Sequence, residues 1–200
     1  MMRTTSERWE QFLDPGVVKP SLFLATMFIT AFEVLKNSVI DRLRNFYEDS
    51  WDENGPIIND DYKNIVLSRN KSPLYASLDW LKENGAIGGE DIEQYENLRK
   101  TRNLLAHQLF EVVTGQIESK HEAQFGELLE LLKKIEVWWV VNLEIAIDPD
   151  FDGQDIDVTS IVPGSILSLQ ILIEVASGNT ELLEHWREAQ KQRRADAKNS

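Results

Sequence analysis

The stretch SLFLATMFITAFEVLKNSVIDRL, residues 21–43, decides the fold. Its Phe23, Met27, Ala31, Val34, Leu35, Val39 and Leu43 recur every three or four residues, the spacing that keeps side chains on one face of an α-helix. With Ser21 after Pro20 as the N-cap, this pattern predicts a helix over about 21–47 that forms one wall of the core. Thr26, Thr30 and Glu33 interrupt the apolar run and Lys36 follows it, which reads as too short and too polar a segment to span a bilayer. Arg3, Arg8 and Lys19 upstream give it the outline of a signal peptide, but the helical pattern runs on through Ile40 and Leu43 without a cleavage-like boundary. The expected location is cytoplasmic, with no membrane partner.

Working outward, residues 48–61 hold Glu48, Asp49, Asp52, Glu53, Asp60 and Asp61 around Gly55-Pro56 and read as a solvated loop, with a short helix over Asp60–Ser68. Ser72-Pro73 supplies an N-cap and first helical position for a helix through Leu74, Leu78 and Leu81 that stops at Asn84-Gly85. Gly88-Gly89, followed by Glu90 and Asp91 where the helix dipole favours acids, opens the next helix, and Gly115 ends it. Lys120 to about Ile147 reads as another long helix bearing Phe125, Leu128, Leu129, Leu132, Ile135, Trp138, Trp139 and Val141. Val162-Pro163-Gly164 opens an apolar helix to about Ala176, and Asn179-Thr180 caps a last one. No segment alternates with period two, so the expected fold is all-α, an antiparallel helical bundle in a single domain, 1–200. Its core is expected over about 21–147 and its C-terminal helical extension over about 160–195.

Composition narrows the chemistry. Two hundred residues, 42% hydrophobic and 28% charged, suffice for a core without covalent staples. The absence of cysteine excludes disulfides, thiolate metal sites and cysteine nucleophiles, and fits a reducing compartment. A net charge of -13 excludes a protein that coats DNA or anionic membranes through its overall field, so any nucleic-acid contact must be local.

One hexapeptide gathers reactive groups: Arg102-Asn103-Leu104-Leu105-Ala106-His107. At about 100° per residue, Tyr95, Leu98, Leu105 and Leu109 form an apolar stripe, and Arg102 falls inside it. A buried unpaired guanidinium costs several kcal/mol, so Arg102 must meet a carboxylate, line a cleft or sit between chains, and Glu33 is the first partner to name. Asn103 and His107 lie four apart, on a neighbouring face with Arg99 and Glu96. Such a set suits metal-free RNA cleavage. An imidazole with a reference pKa of about 6.5 moves a proton to or from a ribose oxygen, and arginine stabilises charge on the phosphoryl oxygens. One histidine does not easily act as base and acid in the same turnover, which makes a pair of chains attractive.

The run Leu98-Arg99-Lys100-Thr101-Arg102-Asn103-Leu104-Leu105-Ala106-His107 resembles the signature of HEPN domains, an arginine commonly followed by Asn and then a histidine after a short gap. The helical pairs over about 21–147 resemble the HEPN bundle. The resemblance implies a homodimer whose motif helices meet at a cleft, and a metal-independent endoribonuclease of toxin–antitoxin or phage-defence systems, with RNA as substrate and an antitoxin protein as partner. Carried over, Arg102 stabilises the transition state, Asn103 positions phosphate or imidazole, and His107 is the acid or base. Arg99 and Lys100 are the local cations that would hold RNA. Leu109 stands where adenylylated HEPN toxins carry a tyrosine, which argues against that mode of silencing.

Other readings stand beside this one. Arg102 and Glu33 could be only an ion pair and His107 only a surface residue, or the fold could serve a non-catalytic, mannitol-repressor-like regulatory or protein-interaction module. Asp148-Pro149-Asp150-Phe151-Asp152-Gly153 imitates the start of a calcium loop but fails at Asp155 and Thr159, so it reads as a solvated acidic turn. His121 and His185 have no metal-ligand spacing and are expected exposed; no metal or cofactor is expected. Trp138-Trp139 reads as helix packing. Arg187, Lys191, Arg193, Arg194 and Lys198 read as a solvated helix end.

Overall fold

Two apolar helices in antiparallel register bury little alone, and here a single long helix organises three others around it. The computed structural model of the protein describes residues 9, 10 and 12–199, with side chains described as far as residue 191. Arg3 and Arg8, and the side chains of Arg193, Arg194 and Lys198, lie outside the described residues. The chain divides into two compact units, Met1–Pro163 and Gly164–Ser200.

In the first unit, helix α1 spans Pro15–Phe46, six residues earlier at its start than Ser21 predicts. Asp14 is the reason: its Oδ1 accepts the Gly16 amide at 2.8 Å, and Pro15 fills the first helical position, where a missing N–H costs nothing. Pro20 therefore lies inside the helix rather than before it. The lengthened α1 is long and apolar enough to cross a membrane by length and composition alone, as is Val158–Ala176. That overturns the expectation of a segment too short to do so. In this unit, however, its Ala25, Phe28, Ala31, Leu35, Val39 and Leu43 are fully buried and form the core.

A β-hairpin replaces the loop expected after α1. Strand β1, Glu48–Asp52, pairs antiparallel with β2, Gly55–Ile58, with Trp51 opposite Pro56 and Asp52 opposite Gly55. Glu53-Asn54 makes the two-residue connection, Asn54 donates its amide to Asp52 Oδ1 at 2.7 Å, and Gly55 takes φ +118°, a left-handed value natural to glycine. The structure is thus mostly helical but not wholly so. Tyr62–Val66 and Leu67–Arg69 follow as short wide and tight helical turns.

Helix α2, Pro73–Glu83, starts at Ser72-Pro73 and stops before Gly85, φ +75°, as those residues predict. Helix α3 is Gly89–Val113, and α4 is His121–Trp139, continued by a widened turn over Val140–Ile145. Both α3 and α4 pack on α1 and on each other, and α2 packs on α1. Leu78 and Leu81 of α2, Tyr95, Leu98 and Leu105 of α3, and Leu128, Leu132, Ile135 and Trp139 of α4 complete the core. At one end Trp80 stacks on Trp139, centroids 6.0 Å apart and planes within 10°, and Phe46 and Trp138 close around them.

Beneath this cluster lies an ion-pair network. Glu136, 4% exposed, accepts from Ser38 and from Arg42, and Arg42 also reaches Glu144. The Arg42 guanidinium carbon lies 5.9 Å from the Trp139 ring centroid, a cation–π contact. A buried carboxylate between two apolar neighbours, Ile135 and Val137, is stable only when paired in this way.

The second unit holds helices α5, Gly164–Ala176, and α6, Glu181–Asn199. Gly178, φ +87°, turns the chain, and Asn179 Oδ1 accepts the Glu181 amide at 3.0 Å to start α6.

Candidate functional site

Helix α3 carries the hexapeptide, and its own ends explain its position. Gly88 donates its amide to Asp91 Oδ2 at 2.6 Å, and the same carboxylate takes Lys134 of α4 at 2.6 Å. Burial pushes the Asp91 pKa up, but the Gly88 amide and Lys134 outweigh it and leave the carboxyl below its ordinary value. Gln94 donates to the Glu127 carbonyl at 3.1 Å and Thr101 to Gln124 at 2.6 Å, so α3 is tied to α4 along two turns.

Arg102 leaves the apolar stripe sideways. Its Nη2 donates to Glu33 of α1 and its Nη1 to Asn103 Oδ1 at 3.3 Å, while its Nε is buried with no partner among the described residues. Lys36 Nζ takes the other Glu33 oxygen at 3.2 Å. Burial raises the Glu33 pKa, yet hydrogen bonds and charge from Arg102 and Lys36 hold it below its ordinary value, so the carboxylate stays ionised. Lys36 is the member that sequence reasoning passed over; its place three residues after Glu33 was the available signal.

Asn103 is half-buried and His107 exposed one turn further along the same face. Arg99 and Lys100 occupy the preceding turn. Arg99 donates through Nε and Nη2 to Glu96 Oε2 at 3.2 and 2.9 Å, while Tyr75 of α2 donates its hydroxyl to Glu96 Oε1 at 2.8 Å. That bond to Glu96 raises the Arg99 pKa, and the Glu96 carboxylate likewise raises that of Tyr75. Lys100 is exposed. One face of α3 thus carries Glu96, Lys100, Asn103 and His107, with both guanidiniums beside it already facing carboxylates.

The helix does not run evenly to Gly115 as expected. Gln108 has φ -134° and ψ +34°, outside helical values, so α3 breaks one residue after His107. Neither proline nor glycine marks the place in sequence. Beyond the break, Phe110 is exposed and meets Phe12 edge to face at 5.5 Å.

His185 is exposed, as expected, but His121 is not: it is 4% exposed at the start of α4. Its Nδ1 lies 2.9 Å from Ser119 Oγ and its Nε2 is buried with no partner among the described residues. Burial depresses its pKa below 6.5, opposed by Glu122. Since the unfolded chain then takes up the proton at higher pH than the native one, stability is full above about pH 6.5 and declines as pH falls through and below it. The paired carboxylates Glu33, Asp91 and Glu96 add a separate loss only at lower pH, below the ordinary carboxylate values of 4.5 and 3.8. Urea midpoints at about pH 7.5 and 5.5 should differ in the parent and differ less in His121→Leu; an undiminished difference would assign the decline elsewhere.

Two carboxylates of the acidic loop, Asp148 and Asp157, bond its own backbone. Asp148 Oδ1 accepts the Asp150 amide at 3.0 Å, and Asp157 Oδ1 accepts the Thr159 amide at 3.0 Å and its hydroxyl at 2.6 Å. An open cavity of about 440 Å³ lies beside Ile145, Phe151 and Ile156. Among the described residues no three His, Asp or Glu side chains are grouped to hold a metal ion. No family model matches the chain, and neither the curated proteins nor the solved structures contain a match.

Proposed function

We propose that the protein is a metal-independent endoribonuclease of the HEPN type, acting as a homodimer in a toxin–antitoxin or phage-defence system. One observation carries the reading: an anchored guanidinium, a carboxamide bonded to it and, one turn further on, an exposed imidazole lie on adjoining faces of one helix. His107 takes the proton from a ribose 2′-hydroxyl, the 2′-oxygen attacks phosphorus, and the bond to the 5′-oxygen breaks. The products are a 2′,3′-cyclic phosphate and a 5′-hydroxyl. Arg102 lies where it stabilises charge on the phosphoryl oxygens, and Asn103 orients it. The proton for the departing oxygen comes from the second subunit's imidazole, which is why the active form is a dimer through the motif helix.

Single-stranded RNA incubated with the protein in EDTA should yield 2′,3′-cyclic phosphate ends. Because only a few local cations oppose a chain of net charge -13, cutting should weaken steeply with added salt. Metal-dependent ends, or no cutting by the dimer, would overturn the assignment.

A second reading has its own observation. Both guanidiniums of the motif face are paired with carboxylates of the same chain, as in a structural network. A non-catalytic helical module that binds a protein partner would need no more. If induced expression arrests growth and His107→Ala relieves the arrest, this second reading is rejected.

A further inference from the structure

Glu33 lies between two cations, one carboxylate oxygen facing each: Oε1 takes Arg102 Nη2 and Oε2 takes Lys36 Nζ. A phosphodiester offers the same pattern, one negative charge shared over two non-bridging oxygens. We propose that Glu33 is a built-in competitor of RNA, occupying between Arg102 and Lys36 the position that a substrate phosphodiester takes when it binds. The proposal rests on the ribonuclease reading and adds to it Lys36 of α1 as a phosphate ligand and Glu33 as the group that RNA must displace.

Three features support the exchange. The pair is open to solvent, with side-chain exposures of 28% for Arg102, 34% for Glu33 and 44% for Lys36, so a ligand reaches it without opening the core. Ion pairs this exposed are weak, whereas guanidinium–phosphate contacts are charge-assisted and often bidentate. Moreover, the Arg102 pose against Glu33 leaves Nε buried with no partner among the described residues, so the resting arrangement there does not satisfy the guanidinium. A turn away, Arg99 rests in the same manner on Glu96, which puts two carboxylates on a face that must accept a polyanion.

The test uses a single-stranded 2′-O-methyl RNA oligonucleotide, which lacks the attacking hydroxyl and so reports binding alone, followed by fluorescence anisotropy in EDTA. Glu33→Gln should bind at least about threefold tighter than the parent, the weight of one exposed ion pair. Glu130→Gln, the same charge change at an exposed site on α4, should move affinity much less. Lys36→Met should weaken binding and lower the salt slope by about 0.7, one phosphate contact fewer on a single strand. In an Arg102→Ala background the gain from Glu33→Gln should shrink, because only Lys36 is then left to be freed, which a general charge effect would not predict. Thermal melts confirm that each variant is folded; if Glu33→Gln does not fold, Lys36→Met and its salt slope decide alone. Weaker binding by Glu33→Gln, or a gain equal to that of Glu130→Gln, overturns the proposal while leaving the ribonuclease intact. A parent that binds no RNA and instead binds an acidic peptide overturns both.

Discussion

Replacing His107 by alanine should lower RNA cleavage by at least about a hundredfold while leaving the melting temperature within a degree or two of the parent. The first expectation follows from the loss of a general acid or base, which contributes about 10² to 10⁴ in rate. The second follows from position: His107 is exposed, so its removal opens no cavity. The two together make the result decisive, because a loss of activity with an unchanged fold cannot be attributed to unfolding. A mixed dimer of parent and variant chains adds a sharper reading. If each cut needs one imidazole as base and the other as acid, the mixed dimer should fall well below half of parent activity. Equal cleavage by His107→Ala and the parent would reject the ribonuclease.

Trp139→Ala should destabilise the first unit by about 3 to 5 kcal/mol, measured from urea unfolding followed by far-ultraviolet circular dichroism. The ring is 1% exposed, stacks on Trp80, meets Phe46 at 5.7 Å and carries Arg42 over its face, so its removal leaves both a cavity and a guanidinium with one contact fewer. The neighbouring Trp138 is only half-buried and makes edge contacts, so Trp138→Ala should cost clearly less. A reversed order would mean that the Trp80–Trp139 stack does not hold this end of the core.

The helices and the Arg102–Glu33 pair were accessible to sequence reasoning for one reason: each leaves a periodic mark. A charge inside an apolar stripe is rare, and two such charges on two helices that must touch name each other. The same logic would have found Glu136, which interrupts Ile135-Val137 much as Glu33 interrupts α1, and led from it to Arg42. What left no mark is equally specific. No residue of the hairpin strands is buried, so no apolar alternation distinguishes them from a loop, and Asn54-Gly55 was the local cue. The break at Gln108 involves a residue with no intrinsic tendency to break a helix, and the burial of His121 comes from packing around the start of α4. Whether the face of α3 meets a second subunit depends on a surface that periodicity within one chain does not encode.

The two indoles that lie nearly parallel at the end of the core have an optical consequence. Indoles this close share their excited states, and Trp138, 5.0 Å from Trp139 and 6.1 Å from Trp80 with its plane nearly perpendicular to both, gives the cluster a skewed arrangement, so the native protein should show a paired positive and negative band in its circular dichroism near the main indole absorption. Trp9, Trp51 and Trp186 are exposed. Trp138 and Trp139 couple within α4 alone, but the part of the signal that involves Trp80 arises only when α2 and α4 have met, so the difference between parent and Trp80→Phe during refolding reports the assembly of that corner without any added label.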